Sequence, residues 1–383
     1  MPDTPPDSSH ARNGEAAPGL PRPVRQPTPS AAGPGLAHAG ASRRRLRILT
    51  WHVHGNYLYY LSQLPHDIAV VVRPGNPPGY AAPGDALPWG GNVHTVAGDA
   101  LAHERFDCIL FQSRVHYDRD QYELLTPEQR KLPRIYLEHD PPQEHPTNQC
   151  HWFQEPDGIL VHVTPFNALM WDSGITPVQV VEHGVIVPDD VRYTGEKDRG
   201  IVVVNHLERR GRRLGADIYA RVRRDVALDL VGMDAQASGG LGEIANLALP
   251  GFMAGYRYFF NPIRYTSLGL AVIEAMHVGL PIVGLATTEL ATVVRNHETG
   301  YVDTDVARLV QVMRQLAADR ELAAEWGANA RRHARERFGI ERFVADWQAV
   351  LDAATHGTSL AQPDLAHATS APPRQDLPTR RQA

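Results

Sequence analysis

Residues 261–294 of this 383-residue chain contain the side chains best able to bind a charged ligand. An aromatic strand is expected to end as this segment begins. A helix is then expected to open at Thr266 or Ser267, either of which can cap it. Free backbone N–H groups and the helix dipole at such an end favour an anion such as a diphosphate. Ser267, Leu268 and Gly269 are therefore candidate anion-binding residues, and Gly269 has no Cβ to hold a ligand away.

Glu274 lies about two turns into the same helix. At that position its carboxylate can accept two hydrogen bonds from a ribose diol, while its charge stays clear of a diphosphate. A solvated carboxylate on a helix is the alternative interpretation when this residue is taken alone.

A basic loop follows the strand expected at Gly200–Val204. It reads NHLERRGRR from Asn205 to Arg213 and has four arginines within five residues. Arg209 and Arg210 are candidate diphosphate ligands because a guanidinium group binds phosphate in bidentate fashion. The alternative is a solvated basic loop.

In the first half of the chain, polar residues follow two expected strand ends, where the ligands of parallel sheets collect. His54, Gly55 and Asn56 come after the first strand and are candidates for lining a cleft. His139 and Asp140 come after the strand RIYLE. We predict a functional role for His139, and the alternative is a buried histidine paired with Asp140.

Three groups of residues have part of the spacing of a metal site, and each has a simpler interpretation. His52 and His54 would share one strand face without a third ligand nearby. A zinc cluster within His139–His145 would have to use Glu144 and His145 from the same loop. Asp303–Thr304–Asp305 precedes a helix, where Asp and Thr are ordinary caps. The sequence therefore predicts no metal site.

The composition is that of a globular protein of two domains, with 43% apolar and 21% charged residues. Lys and Arg number 38 against 43 Asp and Glu, a formal net charge of -5, which gives no case for nucleic-acid binding. The two cysteines have no metal-type spacing, and no apolar run could span a bilayer. These features predict a cytoplasmic protein. Arg43–Arg44–Arg45 is expected to be a solvated run, and peripheral contact with anionic lipid at the inner membrane face is its alternative.

Short apolar runs alternate with helical patterns, which favours parallel sheets in an α/β fold. Strands are expected at Leu46–Thr50, Ile68–Val72, Cys108–Phe111, Arg134–Glu138, Ile159–Val163, Gly200–Val204, Ala227–Val231, Tyr258–Phe260 and Ile282–Leu285, and helices near Leu214–Arg224, Leu268–His277 and from about Val306 to Leu351.

The same pattern predicts two doubly wound, Rossmann-like domains facing a cleft. Residues 42–187 would form the first domain, residues 188–340 the second, and residues 341–354 a helix packing back toward the first. Residues 1–41 and 355–383 are rich in Pro, Ala, Gly and Ser and are expected to be disordered. Dehydrogenases and epimerases share such folds, so the fold by itself assigns no function.

A set of short motifs around Glu274 resembles the donor-site signature of glycosyltransferase family 4, also called glycosyl transferases group 1. The resemblance extends to Glu182–Val185 and Glu298–Val302, and is strong after Val178 and loose before it. The motifs themselves are Pro262–Arg264–Tyr265, Gly269–Leu270, Glu274–Ala275–Met276 and Gly279–Leu280–Pro281.

The resemblance implies a GT-B fold, a nucleotide-sugar donor held by the C-terminal half, retention of anomeric configuration and no metal requirement. It places Glu274 on the nucleotide ribose, and the basic loop on the diphosphate. In that loop His206 occupies the position of the family's arginine, and Arg209 or Arg210 replaces its lysine, so His206 is also a candidate diphosphate ligand. His139 would lie near the reacting sugar, while His54, Gly55 and Asn56 would lie on the acceptor side.

Two departures from the family pattern affect the sugar site. The first glutamate of the family's pair is Thr266 here, which can hydrogen-bond but carries no charge. The family's glycine pair and glutamate after Leu285 are replaced by a segment with Thr288 and Glu289, which become candidate donor-binding residues.

Taken together, the sequence predicts a glycosyltransferase that moves a sugar from a UDP- or GDP-linked donor, which is a substrate and not a cofactor. The acceptor would be a glycan, a lipid-linked molecule or a small molecule. Two alternatives stay open. One is a catalytically impaired nucleotide-sugar-binding protein, because Thr266 replaces an acid, and the other is a nucleotide-sugar 2-epimerase on the same fold.

Overall fold

The structure of the protein is a computed structural model that describes residues 44–357. From Arg45 onward these residues belong to one compact unit. The predicted disordered tails fall outside the described residues, except that the last helix continues through Thr355 to His356. Within the described part of the chain, no helix is long and apolar enough to cross a membrane.

The first half forms a seven-stranded sheet in which every neighbouring pair is parallel, in the order β3-β2-β1-β4-β5-β6-β7. Its central strands are apolar on both sides, as a sheet covered on both faces requires. The strands are β1 (Arg47–Trp51), β2 (Asp67–Val72), β3 (Val93–Ala97), β4 (Cys108–Phe111), β5 (Arg134–Glu138), β6 (Ile159–His162) and β7 (Val178–Val180), and the helices are α1 (Gly55–Leu61), α2 (Gln121–Leu124) and α3 (Pro165–Met170).

The second half forms a five-stranded parallel sheet in the order β12-β11-β10-β8-β9. Its strands are β8 (Lys197–Val203), β9 (Leu228–Val231), β10 (Tyr256–Asn261), β11 (Ile282–Leu285) and β12 (Gly300–Asp303). Its helices are α4 (Leu207–Arg210), α5 (Ala216–Val222), α6 (Leu249–Met253), α7 (Leu270–Val278), α8 (Leu290–Val293), α9 (Val306–Ala318) and α10 (Arg320–Arg337). The α/β class predicted from the sequence is confirmed.

The last helix, α11 (Ile340–His356), packs on the first half of the chain. The indole Nε1 of Trp347 donates to the hydroxyl of Tyr57 at 2.9 Å, and both side chains are buried. The Arg342 guanidinium donates to the carbonyls of Glu182 and His183 at 2.8 and 2.7 Å. These contacts fix the segment that joins the two sheets. The exact domain boundaries stay a prediction.

The strand β12, at one end of the second sheet, is not among the strands expected from the sequence. In the first sheet, the strands β3 and β7 were not expected either. Each is an outer strand of the first sheet. The side chains of β3 are mostly exposed and those of β7 only half-buried, so neither strand has the continuous apolar run of the central strands. An outer strand pairs on one side only and needs fewer apolar residues.

Candidate functional site

The candidate residues from the two halves meet where the carboxyl ends of the strands face each other. His54 and His139 follow β1 and β5 of the first sheet, while His206 and Thr266 follow β8 and β10 of the second. Thr266 Oγ1 lies 3.5 Å from Oδ1 of Asp140, so the two groups of residues share one cleft. This is the position at which doubly wound sheets bind ligands.

The helix at the centre of the second half begins later than expected. Helix α7 starts at Leu270, with Gly269 as its N-cap, and no side chain caps it. Thr266 and Ser267 therefore do not cap the helix, and they lie in the loop before it. A Cβ on Gly269 would meet no atom within 4 Å, so the start of the helix opens onto free space. The free N–H groups of this end remain able to receive an anion.

The basic loop and the loop before α7 are held together by hydrogen bonds to the carbonyls of Arg213 and Arg212. The backbone N–H groups of Arg264 and Tyr265 donate to the carbonyl of Arg213 at 3.0 and 3.3 Å. The Arg264 guanidinium also binds the Asp217 carboxylate through two hydrogen bonds, at 2.6 and 2.7 Å. The predicted phosphate ligands and the α7 N-terminus therefore lie together at the carboxyl ends of the strands of the second sheet.

The three basic residues predicted to bind diphosphate differ in their freedom to move. Arg209 is exposed, and Arg210 is half-buried, with a pKa lowered by burial and by the neighbouring Arg213. His206 has a left-handed backbone (φ 54°), and its ring Nδ1 pairs with the Asp234 carboxylate. The two arginines retain donors for a ligand, whereas the His206 ring is oriented by Asp234.

Glu274 is buried, with 5% of its surface exposed, and its Oε1 accepts a hydrogen bond from the Tyr60 hydroxyl at 2.9 Å. Burial raises the pKa of Glu274 to about 7, and the Tyr60 hydrogen bond opposes that rise. Glu274 is therefore not the solvated helix carboxylate of the alternative interpretation.

A cavity of about 310 Å³ lies next to Glu274, between the two halves. Asn56 also lines this cavity, and its side chain hydrogen-bonds Asn246 of the second half. Asn56 thus lies beside the predicted ribose ligand and apart from His54, although both were assigned to the acceptor side. Gly55, the first residue of α1, lies beside His52, whose ring a Cβ would approach to 3.1 Å.

Glu289 is engaged inside the protein. Its carboxylate accepts hydrogen bonds from the Phe166 backbone N–H at 2.9 Å and from Arg337 at 3.1 Å. Arg337 also pairs with Glu182. Thr288, next to Glu289, has a left-handed backbone (φ 50°). These contacts favour an interdomain structural role for Glu289, and its donor-binding role stays a prediction.

The histidines of the first half form a pair in the cleft. The rings of His54 and His139 lie 4.1 Å apart between centroids, and His139 Nε2 is 3.1 Å from Gln112 Oε1. His139 is thus paired with Gln112, in contrast to the Asp140 pairing of the alternative. Burial lowers the pKa of His139 well below its usual value, helped by His54 and His183. The neutral ring can serve as a hydrogen-bond donor or acceptor to a substrate hydroxyl.

A second pocket, of about 360 Å³, contains this histidine pair. Asp140, Tyr136 and Trp152 line it together with Glu138, whose pKa burial raises to about 8. His151 Nδ1 accepts from the Phe153 N–H, so its Nε2 carries the proton that faces Glu138 Oε2 at 3.2 Å. Two residues that contact the predicted site residues, Gln112 and Tyr60, were not predicted from the sequence, because neither belongs to a recognisable motif.

No group of three or more His, Cys, Asp or Glu in residues 44–357 is placed to hold a metal ion. The capping interpretation of the Asp-Thr-Asp segment is confirmed, because Asp305 accepts from the Ala307 N–H at 2.9 Å. Asp303 accepts from the Asp305 N–H at 2.8 Å and from the Tyr301 hydroxyl at 3.0 Å. Metal independence of the reaction stays a prediction.

Comparison with known proteins gives a family match in the second half of the chain. Residues 241–333 match the family model Glycosyl transferases group 1. N-acetyl-alpha-D-glucosaminyl L-malate synthase of Bacillus anthracis is 30% identical over 86 residues, which cover 22% of this chain. The matched segment spans 23% of the length of that relative. The resemblance to glycosyl transferases group 1 recognised from the motifs around Glu274 is thereby confirmed for residues 241–333.

Solved structures share the fold over most of the chain. Sucrose-phosphate synthase of Thermosynechococcus elongatus superposes with a TM-score of 0.61 at 16% identity, covering 82% of this chain and 100% of that one. HepE of Anabaena, in complex with UDP and glucose, has a TM-score of 0.56 at 13% identity and covers 81% of this chain and 99% of that one. These similarities confirm the predicted GT-B fold.

Proposed function

We propose that this GT-B chain, whose second half carries the glycosyl transferases group 1 signature, transfers a sugar from a nucleotide-sugar donor to a hydroxyl group of an acceptor. The observation that carries the proposal is the joining of the basic loop to the open N-terminus of α7 through the Arg213 carbonyl. This arrangement concentrates positive charge and free N–H groups where a diphosphate would leave. Neutralising the leaving group is the main electrostatic task of such a transfer.

The donor nucleoside would occupy the cavity of about 310 Å³ beside Glu274. In this proposal the Glu274 carboxylate accepts hydrogen bonds from the ribose diol after it releases the Tyr60 hydroxyl. Arg209 and Arg210 bind the diphosphate together with the backbone of Ser267, Leu268 and Gly269. UDP-linked sugars are the first donors to test, because HepE was solved with UDP and glucose, and GDP-linked sugars are the second.

The acceptor would approach through the second pocket, past His54 and His139. The neutral His139 ring can accept a hydrogen bond from an incoming hydroxyl or donate one to the donor sugar. With the diphosphate held by protein groups, the transfer needs no metal and proceeds with retention, as the family resemblance implies. Closure of the cleft excludes water and so favours transfer over hydrolysis. The acceptor is a glycan, a lipid-linked molecule or a small molecule, and a lipid-linked one would bring the protein to a membrane surface.

A panel of nucleotide sugars, each with its nucleoside diphosphate, tests the proposal by thermal stabilisation. A donor present at about 100 times its Kd adds about 2.7 kcal/mol to stability, so the melting temperature should rise by several degrees. If neither a UDP nor a GDP compound stabilises the protein, the proposal is wrong. The Thr266 hydroxyl, found where the family has a carboxylate, also favours a binding protein without turnover. Transfer or hydrolysis of the stabilising donor would exclude that second candidate, and conversion of the sugar without an acceptor would indicate an epimerase.

A further inference from the structure

Asp140 is held rigidly by the first half of the molecule through its backbone. Its N–H donates to Oε1 of Glu138 at 2.9 Å, and its carbonyl accepts from the Trp171 indole at 2.9 Å. Because both contacts use main-chain atoms, the position of Asp140 does not depend on its carboxylate. The side chain is therefore available for a different purpose.

The loop that carries Asp140 contacts the second half of the chain, which is the proposed donor side of the cleft. The Tyr265 hydroxyl donates to the Pro142 carbonyl at 3.0 Å, and Arg213 hydrogen-bonds the side chain of Gln143. Between these contacts, Oδ1 of Asp140 lies 3.5 Å from the Thr266 hydroxyl. The carboxylate thus reaches across from the first half to the residue that follows β10.

The charges around Asp140 divide into two sides. Asp140 raises the pKa of Arg210 on the donor side and of His54 on the other, although burial lowers both pKa values overall. The Asp140 carboxylate is therefore close both to Arg210 of the basic loop and to His54 of the histidine pair, and it lines the second pocket.

Two buried carboxylates nearby are already committed to the protein. Glu138 and Glu289 each accept a hydrogen bond of 2.9 Å from a backbone N–H, and Glu274 is assigned to the ribose in the proposed function. The Asp140–Thr266 contact of 3.5 Å is at the limit of a hydrogen bond, so a ligand hydroxyl can replace it at small cost. A carboxylate is also a strong acceptor for the hydroxyl groups of a sugar.

We propose that Asp140 is a donor-sugar-binding residue, whose carboxylate accepts hydrogen bonds from sugar hydroxyls opposite the Thr266 hydroxyl. The proposal rests on the proposed nucleotide-sugar transfer. In this proposal both halves of the chain contribute to the sugar subsite. The Asp140 carboxylate of the first half faces the uncharged Thr266 hydroxyl of the second half. The nucleotide itself lies outside the reach of this residue.

Calorimetry on Asp140→Asn tests the proposal, with UDP-glucose against UDP and GDP-mannose against GDP as probes. The pair that binds the wild-type protein is the one compared. Asp140→Asn should leave the nucleoside diphosphate Kd within twofold and raise the nucleotide-sugar Kd at least fivefold, with a fall in turnover of at least tenfold. Asp157→Asn, an equal charge change in an exposed turn, is the matched control and should alter neither Kd.

A swap of the carboxylate across the cleft separates sugar binding from structure. Thr266→Glu in the wild-type background brings two carboxylates together and should weaken nucleotide-sugar binding. The double variant Asp140→Asn, Thr266→Glu should bind the nucleotide sugar more tightly than Asp140→Asn alone, because one acid faces the sugar again. The proposal is overturned if Asp140→Asn changes the diphosphate and nucleotide-sugar Kd values equally, if it changes neither, or if the double variant shows no recovery. If the wild-type protein binds none of the four probes, the proposed function fails, and this inference fails with it.

Discussion

The Tyr60 hydroxyl donates a hydrogen bond of 2.9 Å to Oε1 of Glu274, although 214 residues separate them in the chain. Tyr60 lies on α1 of the first half and Glu274 on α7 of the second, and both side chains are buried. The bond therefore fastens the two halves at the residue predicted to bind ribose. In the proposed function, the ribose diol would compete with Tyr60 for Oε1 of this carboxylate.

Replacing Glu274 by alanine should weaken nucleoside diphosphate binding about 10- to 150-fold. The loss corresponds to about 1.5–3 kcal/mol for hydrogen bonds to a charged group. Isothermal calorimetry with the nucleotide that best stabilises the wild-type protein measures it. An unchanged Kd would show that the family resemblance assigns the wrong residue to ribose.

Tyr60→Phe should strengthen nucleotide binding about 2- to 13-fold, since it removes a competitor worth about 0.5–1.5 kcal/mol. Calorimetry with the same nucleotide measures the gain. Tyr122→Phe, at an exposed tyrosine of the first half, should leave the Kd unchanged. Weaker binding by Tyr60→Phe would instead mean that Tyr60 contacts the nucleotide.

The buried Glu274 should make stability depend on pH in a defined direction. Its pKa rises from the usual 4.5 to about 7, so between these pH values the folded protein holds a proton that the unfolded chain has released. Stability from this group is lost as pH rises through that window, by on the order of 3 kcal/mol. Glu274→Gln cannot titrate at this position. Its melting temperature should therefore rise relative to that of the wild-type protein as the pH is raised from 5 to 8.

Thermal melts of both proteins across this range measure the difference, with the exposed Glu128→Gln as the control. Comparing each variant with the wild-type protein cancels the opposite trend from His151 and His183. Burial lowers their pKa values to about 3 and about 4. Below about pH 6.5 the unfolded chain protonates these histidines and the folded protein does not, so the stability of the protein falls as pH falls. If the melting temperatures of the wild-type protein and Glu274→Gln change with pH in parallel, the pKa of Glu274 is not raised in the folded protein.

His139→Ala should separate the two sides of the cleft. It should leave nucleoside diphosphate binding within about threefold while transfer falls at least tenfold, because His139 lies with His54 in the second pocket. The exposed His145 of the same loop, replaced by alanine, is the matched control. If nucleotide binding weakens as much as in Glu274→Ala, donor and acceptor do not occupy separate halves.

Transfer should persist in excess EDTA, because arginines and the α7 N-terminus are proposed to neutralise the diphosphate. The turnover rate with and without chelator measures this, with the stabilising donor as substrate. Loss of activity that Mn²⁺ restores would return Asp303–Thr304–Asp305 to consideration, even though Asp305 caps α9.

The sequence was sufficient for the α/β fold and for the family motif, because both depend on short spacings. The apolar runs of the central strands and the Glu274–Ala275–Met276 motif are local signals. The start of α7 was misplaced because the Thr266 hydroxyl faces Asp140 of the first half at 3.5 Å and does not cap the helix, whose N-cap is Gly269. No local pattern contains that tertiary contact.

The roles of Tyr60, Gln112 and Asp140 could not be predicted for a related reason. Gln112 is one polar residue after an apolar strand, and only the packing of β4 beside β5 brings it to His139. Tyr60 and Asp140 act across the interface between the halves. Their partners depend on how two separately folded sheets are docked, which residue spacing within either half does not encode.

Helix α11 has a consequence for how the protein is made. It is the last described element to be synthesised, yet Trp347 bonds to Tyr57, and Phe343 packs within 5.5 Å of the same ring. During translation, the apolar surface around Tyr57 therefore lacks Trp347 and Phe343 until α11 has been made, after every strand of the second sheet. Domains usually finish folding in the order in which they emerge from the ribosome. In this protein the half of the chain that emerges first waits for the last described helix to cover part of its apolar surface.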